Sequence, residues 1–285
     1  LVESMSILNF QTNGEFVFNK KISRVNYNFF KKHGYIVVKS VINKKSIKLV
    51  YDSVKKNTDK YSKLSKIKSI KNLHKSLLQL RKKNKKNFSY LFDSLTTLNL
   101  NFGILAESNI MNIVSNLLKV NKNLITLTDV ALRLDPPLDE RNTLGWHQDS
   151  SYFRQNDSGK NGVALWSPIN RLNKKHGFLE FLDKSHNLGP LNIKKKKSSG
   201  KYVSSKRNID EKKLLNFKDI KTVDLKIGDV LLMNLDLVHR SGKNISSEFR
   251  ISLLGRYHNM IKNDFNSGLN IYKYSNKKIQ KEVHG

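Results

Sequence analysis

Apolar positions change their spacing near residue 124, and that change divides the chain into two textures. Before it, they recur at helical intervals. Ile47, Val50, Tyr51 and Val54 share one helical face, and Leu73, Leu77, Leu78 and Leu80 continue the pattern. Within Ser108 to Lys119, the residues Ile110, Ile113, Leu117 and Leu118 do the same. The segment 24–41 (RVNYNFFKKHGYIVVKSV) predicts a short helix, a turn at Gly34 and a β-branched strand. After residue 124, LITLTDVALRL reads as a strand ended by Asp135-Pro136-Pro137. GVALWSPI, FLEFL, KTVDL, DVLLMNL and RISLLGRY follow as short strands, with NKKHG, KIGD and RSGKN as turns between them. Short strands and tight turns predict an antiparallel sandwich or barrel.

The plan is therefore mainly β with flanking α, in one domain over 1–285. Residues 24–123 form an N-terminal strand and helical support, 124–260 the core, and 261–285 a tail. Residues 192–222 interrupt the strands as a Lys-rich insertion, and loops of that length tend to be lids or disordered.

Composition narrows the chemistry. With 38% hydrophobic residues the chain can bury a core, and with no cysteine it offers no disulfide, Cys-ligated zinc or thiol nucleophile. No apolar run is long enough to span a bilayer, and the first residues lack the order of a signal peptide, so the expected location is cytoplasmic. The formal charge of +30 invites a nucleic-acid partner. Two features weaken that reading. The 53 basic residues comprise 43 Lys and only 10 Arg, whereas phosphate-reading surfaces favour Arg as well. The charge is also unevenly placed: residues 39–88 carry 17 basic and 2 acidic residues, while 127–191 carry 8 of each.

The neutral stretch holds Trp146-His147-Gln148-Asp149. On a strand His147 and Asp149 would point to one face. Two readings compete there, a buried hydrogen-bonded pair and a pair of metal ligands. His239, 92 residues on and at the end of a predicted strand, favours the second. Two histidines and one carboxylate form the facial triad of non-haem Fe(II) oxygenases, which leaves coordination positions open. Arg250 follows eleven residues later on the returning strand, with Ser252 on the same face. A guanidinium beside a hydroxyl suits a carboxylate such as the distal one of 2-oxoglutarate. Arg133 could reach an acidic substrate or pair with a nearby acid. His33, His74, His176 and His284, in Lys-rich or turn segments, are expected to face water. His186 is expected to pin its turn.

WHQDSSYF, VALWSPINRLNKKHGFLEFLDKSHNLG and IGDVLLMNLDLVHRSGKNISSEFRISLLGRYH resemble the phytanoyl-CoA dioxygenase family, and FFKKHGYIVVKSV resembles its N-terminal entry. The resemblance covers roughly 24–260. It implies a double-stranded β-helix (jelly roll) that uses Fe(II), 2-oxoglutarate and O₂ to hydroxylate an unactivated C–H bond of a small molecule, releasing succinate and CO₂. By it, His147, Asp149 and His239 hold the metal, while Arg250, Ser241 and Trp166 surround 2-oxoglutarate; Ser252 joins them by sharing the strand face of Arg250. Retention of Asp149 sets the chain apart from the family's halogenases. Asp135 departs from the pattern, standing before Pro-Pro where relatives often have Lys. The alternative function is a basic nucleic-acid-binding protein gripping phosphate through 39–88. The run Lys194–Lys197 is expected to be solvated; were it to overhang the barrel mouth, it would favour an anionic substrate.

Overall fold

The computed structural model describes residues 16–17, 21–62, 67, 69–139, 143–152, 155–195, 207–214, 217 and 220–266. A short strand, β1 (Phe16–Val17), precedes helix α1 (Arg24–His33). Ser23 caps that helix by accepting from the Asn26 N–H, and Gly34 ends it in the left-handed region at φ 82°. A Cβ at Gly34 would also strike the His186 ring, so two constraints select glycine there. β2 (Tyr35–Val38) follows directly. Five helices then form an outer layer: α2 (Lys44–Ser62), α3 (Ile70–Lys83), α4 (Lys85–Thr96), α5 (Asn99–Leu105) and α6 (Ser108–Leu118). α4 and α5 were not anticipated above, although Phe88, Leu91 and Leu95 have helical spacing and are buried.

The remaining strands are β3 (Ile125–Asp135), β4 (Gly162–Pro168), β5 (Leu179–Leu182), β6 (Ile193–Lys195), β7 (Arg207–Ile209), β8 (Ile220–Thr222), β9 (Val230–Asn234), β10 (His239–Ser241) and β11 (Arg250–Asn259). Six strands make one sheet in the order β1-β2-β9-β4-β11-β3, antiparallel except for β1 with β2. A second sheet has the order β10-β5-β8. The 192–222 insertion thus contains regular structure, since β6 pairs with β7 and β8 joins the second sheet. Residues 196–206 and the side chains of Lys194 and Lys195 lie outside what is described.

Strand alternation sorts the large sheet into two cores. Val163, Leu165, Val230, Leu232, Ile251 and Leu253 face the helices, whereas Ala164, Trp166, Leu231, Met233 and Leu254 face the second sheet. Both faces of the central strands are buried. That is why β4, β9 and β11 read as continuous apolar runs rather than as alternating ones. Between the sheets, the inward positions of β3 and β11 turn polar, and the candidate site lies there.

Candidate active site

His147 and His239 meet through a two-way main-chain bridge, each N–H lying 2.9 Å from the other's carbonyl oxygen. Asp149 is not on a strand, as alternation had suggested, but opens a single 3₁₀ turn (Asp149–Ser151). The turn still brings its carboxylate to the same side. Gln148 points away and ties the segment down: its amide donates to the carbonyls of Gly189 and Asp236 and accepts from the Leu191 N–H.

Each imidazole is oriented by its own chain. Nδ1 of His147 lies 2.8 Å from the Gly145 carbonyl oxygen, and Nδ1 of His239 lies 2.9 Å from that of Leu237. A carbonyl can only accept, so both Nδ1 atoms carry the proton and both Nε2 atoms present lone pairs. Those lone pairs converge on Asp149 Oδ1, at 3.8 and 3.7 Å. The separations are too long for hydrogen bonds and suit three donors around one cation of roughly 2.0–2.2 Å bond length. The three residues form the metal-competent cluster found among the described residues, and all three are buried. Burial and the neighbouring His239 push the His147 imidazole down to about 3, so it stays neutral and available as a ligand.

Sequence reasoning missed Arg256. Its Nε donates to Asp149 Oδ2 at 3.1 Å and its Nη2 reaches Oδ1 at 3.4 Å, so the guanidinium spans the carboxylate whose Oδ1 faces the histidines. Burial, the largest single influence, would raise the Asp149 carboxyl, but Arg256 and the two histidines together offset it and hold the group below the usual carboxylate range. Arg256 is itself held by the carbonyl of Asp129, which adopts φ 48° where β3 bulges against β11. The signal available in the sequence was parity, because Arg256 lies on the same strand face as Arg250, Ser252 and Leu254.

At the other end of the cleft, Arg250 is buried and in register with Asp135. Its Nε and Nη2 reach Asp135 Oδ2 at 3.3 and 3.2 Å, while Nη1 donates to the carbonyls of Gly177 and Gly242. Arg133 takes the other oxygen, Oδ1, through Nε at 3.2 Å and Nη2 at 2.8 Å. Burial would raise the Asp135 carboxyl, but the two guanidiniums more than offset it and keep it ionised. Arg133 therefore both pairs with an acid and lines the cleft. Trp166 and Ser241 line it too. Ser252 is wholly buried opposite Arg133, and its hydroxyl has no partner. An orphaned hydroxyl beside two guanidiniums fits a ligand that brings a carboxylate.

Two expectations about other histidines are corrected. His74 and His176 are buried, not solvated. His74 accepts from the Phe249 N–H, and His176 closes a capping box with Asn173. His33 is partly buried and pairs with Asp183 at 2.8 Å, His186 donates to the Lys31 carbonyl, and His284 lies outside the described residues. The base of the insertion packs beside the metal cluster: the Ile209 N–H donates to the Trp146 carbonyl, and Asn208 lies against Gly145.

A family model described as phytanoyl-CoA dioxygenase matches residues 30–252. No curated protein matches the chain. Among solved structures, EctD from S. alaskensis, determined with 2-oxoglutarate and 5-hydroxyectoine, is 16% identical with a TM-score of 0.56. That match covers 83% of this chain and 76% of EctD. EvdO2 from Micromonospora carbonacea var. aurantiaca, complexed with 2-oxoglutarate, is 12% identical with a TM-score of 0.53, covering 84% of this chain and 91% of EvdO2. The epimerase SnoN, in complex with Fe³⁺, alpha ketoglutarate and nogalamycin RO, is 13% identical with a TM-score of 0.52, covering 82% of each chain. These likenesses establish the shared fold.

Proposed function

The chain belongs to the phytanoyl-CoA dioxygenase family of Fe(II)/2-oxoglutarate-dependent oxygenases, and from that premise we propose that it hydroxylates an unactivated C–H bond of a small-molecule substrate. The observation that carries this reading is the buried convergence of the two Nε2 lone pairs with Asp149 Oδ1. Bound iron, with 2-oxoglutarate and O₂, would supply the oxidising power, releasing succinate and CO₂.

The chain's own residues do the rest. His147, Asp149 and His239 hold the metal on one face and leave the other open. Arg256 holds both oxygens of the Asp149 carboxylate and so fixes its orientation, with Oδ1 towards the histidines. Arg250 and Ser252 receive the distal carboxylate of 2-oxoglutarate, Ser241 borders it and Trp166 walls it in. The apolar lining of Leu144, Leu179, Met233 and Leu254 excludes water. Residues 124–260 would then be the catalytic core, carried by the helices of 24–123.

Arg133, Arg250 and Arg256 face Asp135 and Asp149 in the cleft, one positive charge in excess, which the distal carboxylate of 2-oxoglutarate would neutralise. The nucleic-acid alternative is not favoured. The apolar faces of α2 and α3 pack into the core, so their lysines form the solvated side of amphipathic helices. Among the described residues no helix is long and apolar enough to cross a membrane.

The test is a screen of candidate substrates for Fe(II)-dependent succinate release, with products weighed by mass spectrometry. The expected product gains one oxygen atom, and His239→Ala abolishes both signals. A product lacking two hydrogens instead would overturn hydroxylation and leave the oxygenase reading standing.

A further inference from the structure

The cation assigned to the cosubstrate already has a carboxylate on it. Of the two bidentate edges of the Arg250 guanidinium, the one formed by Nε with Nη2 is given to Asp135 Oδ2, and the other depends on Nη1. Its remaining nitrogen is committed to the main-chain carbonyls of Gly177 and Gly242. An incoming carboxylate would need the same edge, because parallel N–H groups are what an Arg–carboxylate pair uses.

Asp135 is also placed to let go. Its two oxygens are divided, Oδ1 to Arg133 and Oδ2 to Arg250. Releasing Arg250 therefore leaves the acid paired and spares the cost of an uncompensated buried charge. Two guanidiniums against one carboxylate leave one positive charge, which a second carboxylate would neutralise. The unpartnered Ser252 hydroxyl, opposite Arg133 and two residues along from Arg250, waits on the same inward face.

We propose that Asp135 is a built-in competitor for the cosubstrate: it holds Arg250 in the ligand-free chain, and 2-oxoglutarate binds by taking Arg250 over while Asp135 retires to Arg133. Asp135 thereby sets the cosubstrate affinity of this site. The inference rests on the oxygenase reading above, and the experiment separates the two.

Binding of 2-oxoglutarate is titrated by calorimetry into Mn(II)-loaded protein, which requires no turnover. Asp135→Asn should bind about tenfold more tightly than wild type, the equivalent of about 1.4 kcal/mol. Arg133→Gln, which leaves Asp135 to Arg250 alone, should bind about tenfold more weakly, and adding Asp135→Asn to it should restore affinity to wild type or better. A merely structural role for Arg133 would not be rescued by a second change. If the amide variant does not fold, Asp135→Ser carries the same expectation. Asp135→Asn binding equally or more weakly, in a wild type that binds, overturns the competitor and spares the oxygenase reading. Silence in both proteins overturns both, whereas binding in Asp135→Asn alone supports the proposal.

Discussion

The two ends of the cleft treat ligands in opposite ways. At the metal end the donors are aimed and left open: both Nδ1 protons are spent on main-chain carbonyls, and both Nε2 lone pairs face Asp149 across a gap. At the end proposed for the cosubstrate, Arg250 is already engaged by Asp135 on the neighbouring strand. A lone pair cannot be left protonated where a metal must bind, whereas a buried guanidinium cannot be left bare. One end is preorganised by main-chain carbonyls that aim its imidazoles. The other is preorganised by a carboxylate that must be exchanged.

That contrast can be broken first at the metal end. Asp149→Ala or His239→Ala should lower Fe(II)-dependent 2-oxoglutarate turnover by about 1,000-fold or more, since no neighbouring group can replace the missing donor. Steady-state succinate release checks it, and residual activity within about tenfold of wild type would place the metal elsewhere. Next comes the cosubstrate end. Arg250→Gln removes the cation but leaves the metal cluster untouched, so the KM for 2-oxoglutarate should rise about 100-fold, in line with ~2–5 kcal/mol for breaking a buried charge pair. Fe(II) affinity should not change, and a parallel loss of metal would show that the ends are not separable.

Arg256 comes third in effect. Arg256→Gln should weaken Fe(II) binding by about 10-fold, the range for partners that orient a ligand, while 2-oxoglutarate affinity stays within about twofold. Competition against a metal-binding dye reads the first and calorimetry the second.

Acid separates the ends again. His147 has an imidazole near 3 in the folded chain against the ordinary 6.5, so below 6.5 the unfolded chain takes up a proton that the folded chain refuses. Its contribution to stability is complete above about pH 6.5 and falls by about 1.4 kcal/mol per unit as pH drops towards the folded value. Thermal melts of metal-free protein between pH 7 and 4.5 should therefore be steeper in pH for wild type than for His147→Asn. The Ser252 hydroxyl does not ionise in this range, so Ser252→Ala should leave that slope alone. Its own effect is the smallest, a rise of about threefold in the 2-oxoglutarate KM for one lost hydrogen bond.

The sequence exposed these ends unequally, for a physical reason. The metal end was legible because its ligands sit in two short segments whose chemistry is carried by residue type: a His-x-Asp and a His at a strand end. Arg250 and Ser252 were legible by strand parity. Arg256 obeys the same parity, but its use depends on a bulge at Asp129 that no local pattern announces. The Arg133–Asp135–Arg250 arrangement was hidden because Asp135 and Arg250, 115 residues apart, meet only through the β3–β11 register. His74 was misjudged from its Lys-rich surroundings, although it adjoins Leu73 and precedes Leu77 on the buried side of α3. The helices and strands of 24–62 and 125–135 followed from periodicity alone. β10 and the β6–β7 hairpin, at three residues per strand, are too short to carry a period.

Iron at the triad, with 2-oxoglutarate beside it, underlies every role proposed for these residues. The most direct measurement is the visible absorbance of anaerobic protein given Fe(II) and then 2-oxoglutarate. The account predicts a weak metal-to-ligand charge-transfer band that appears only when both are present, and that is absent in His147→Ala and in Asp149→Ala. A band of equal strength in either variant, or none in the wild type, would contradict it.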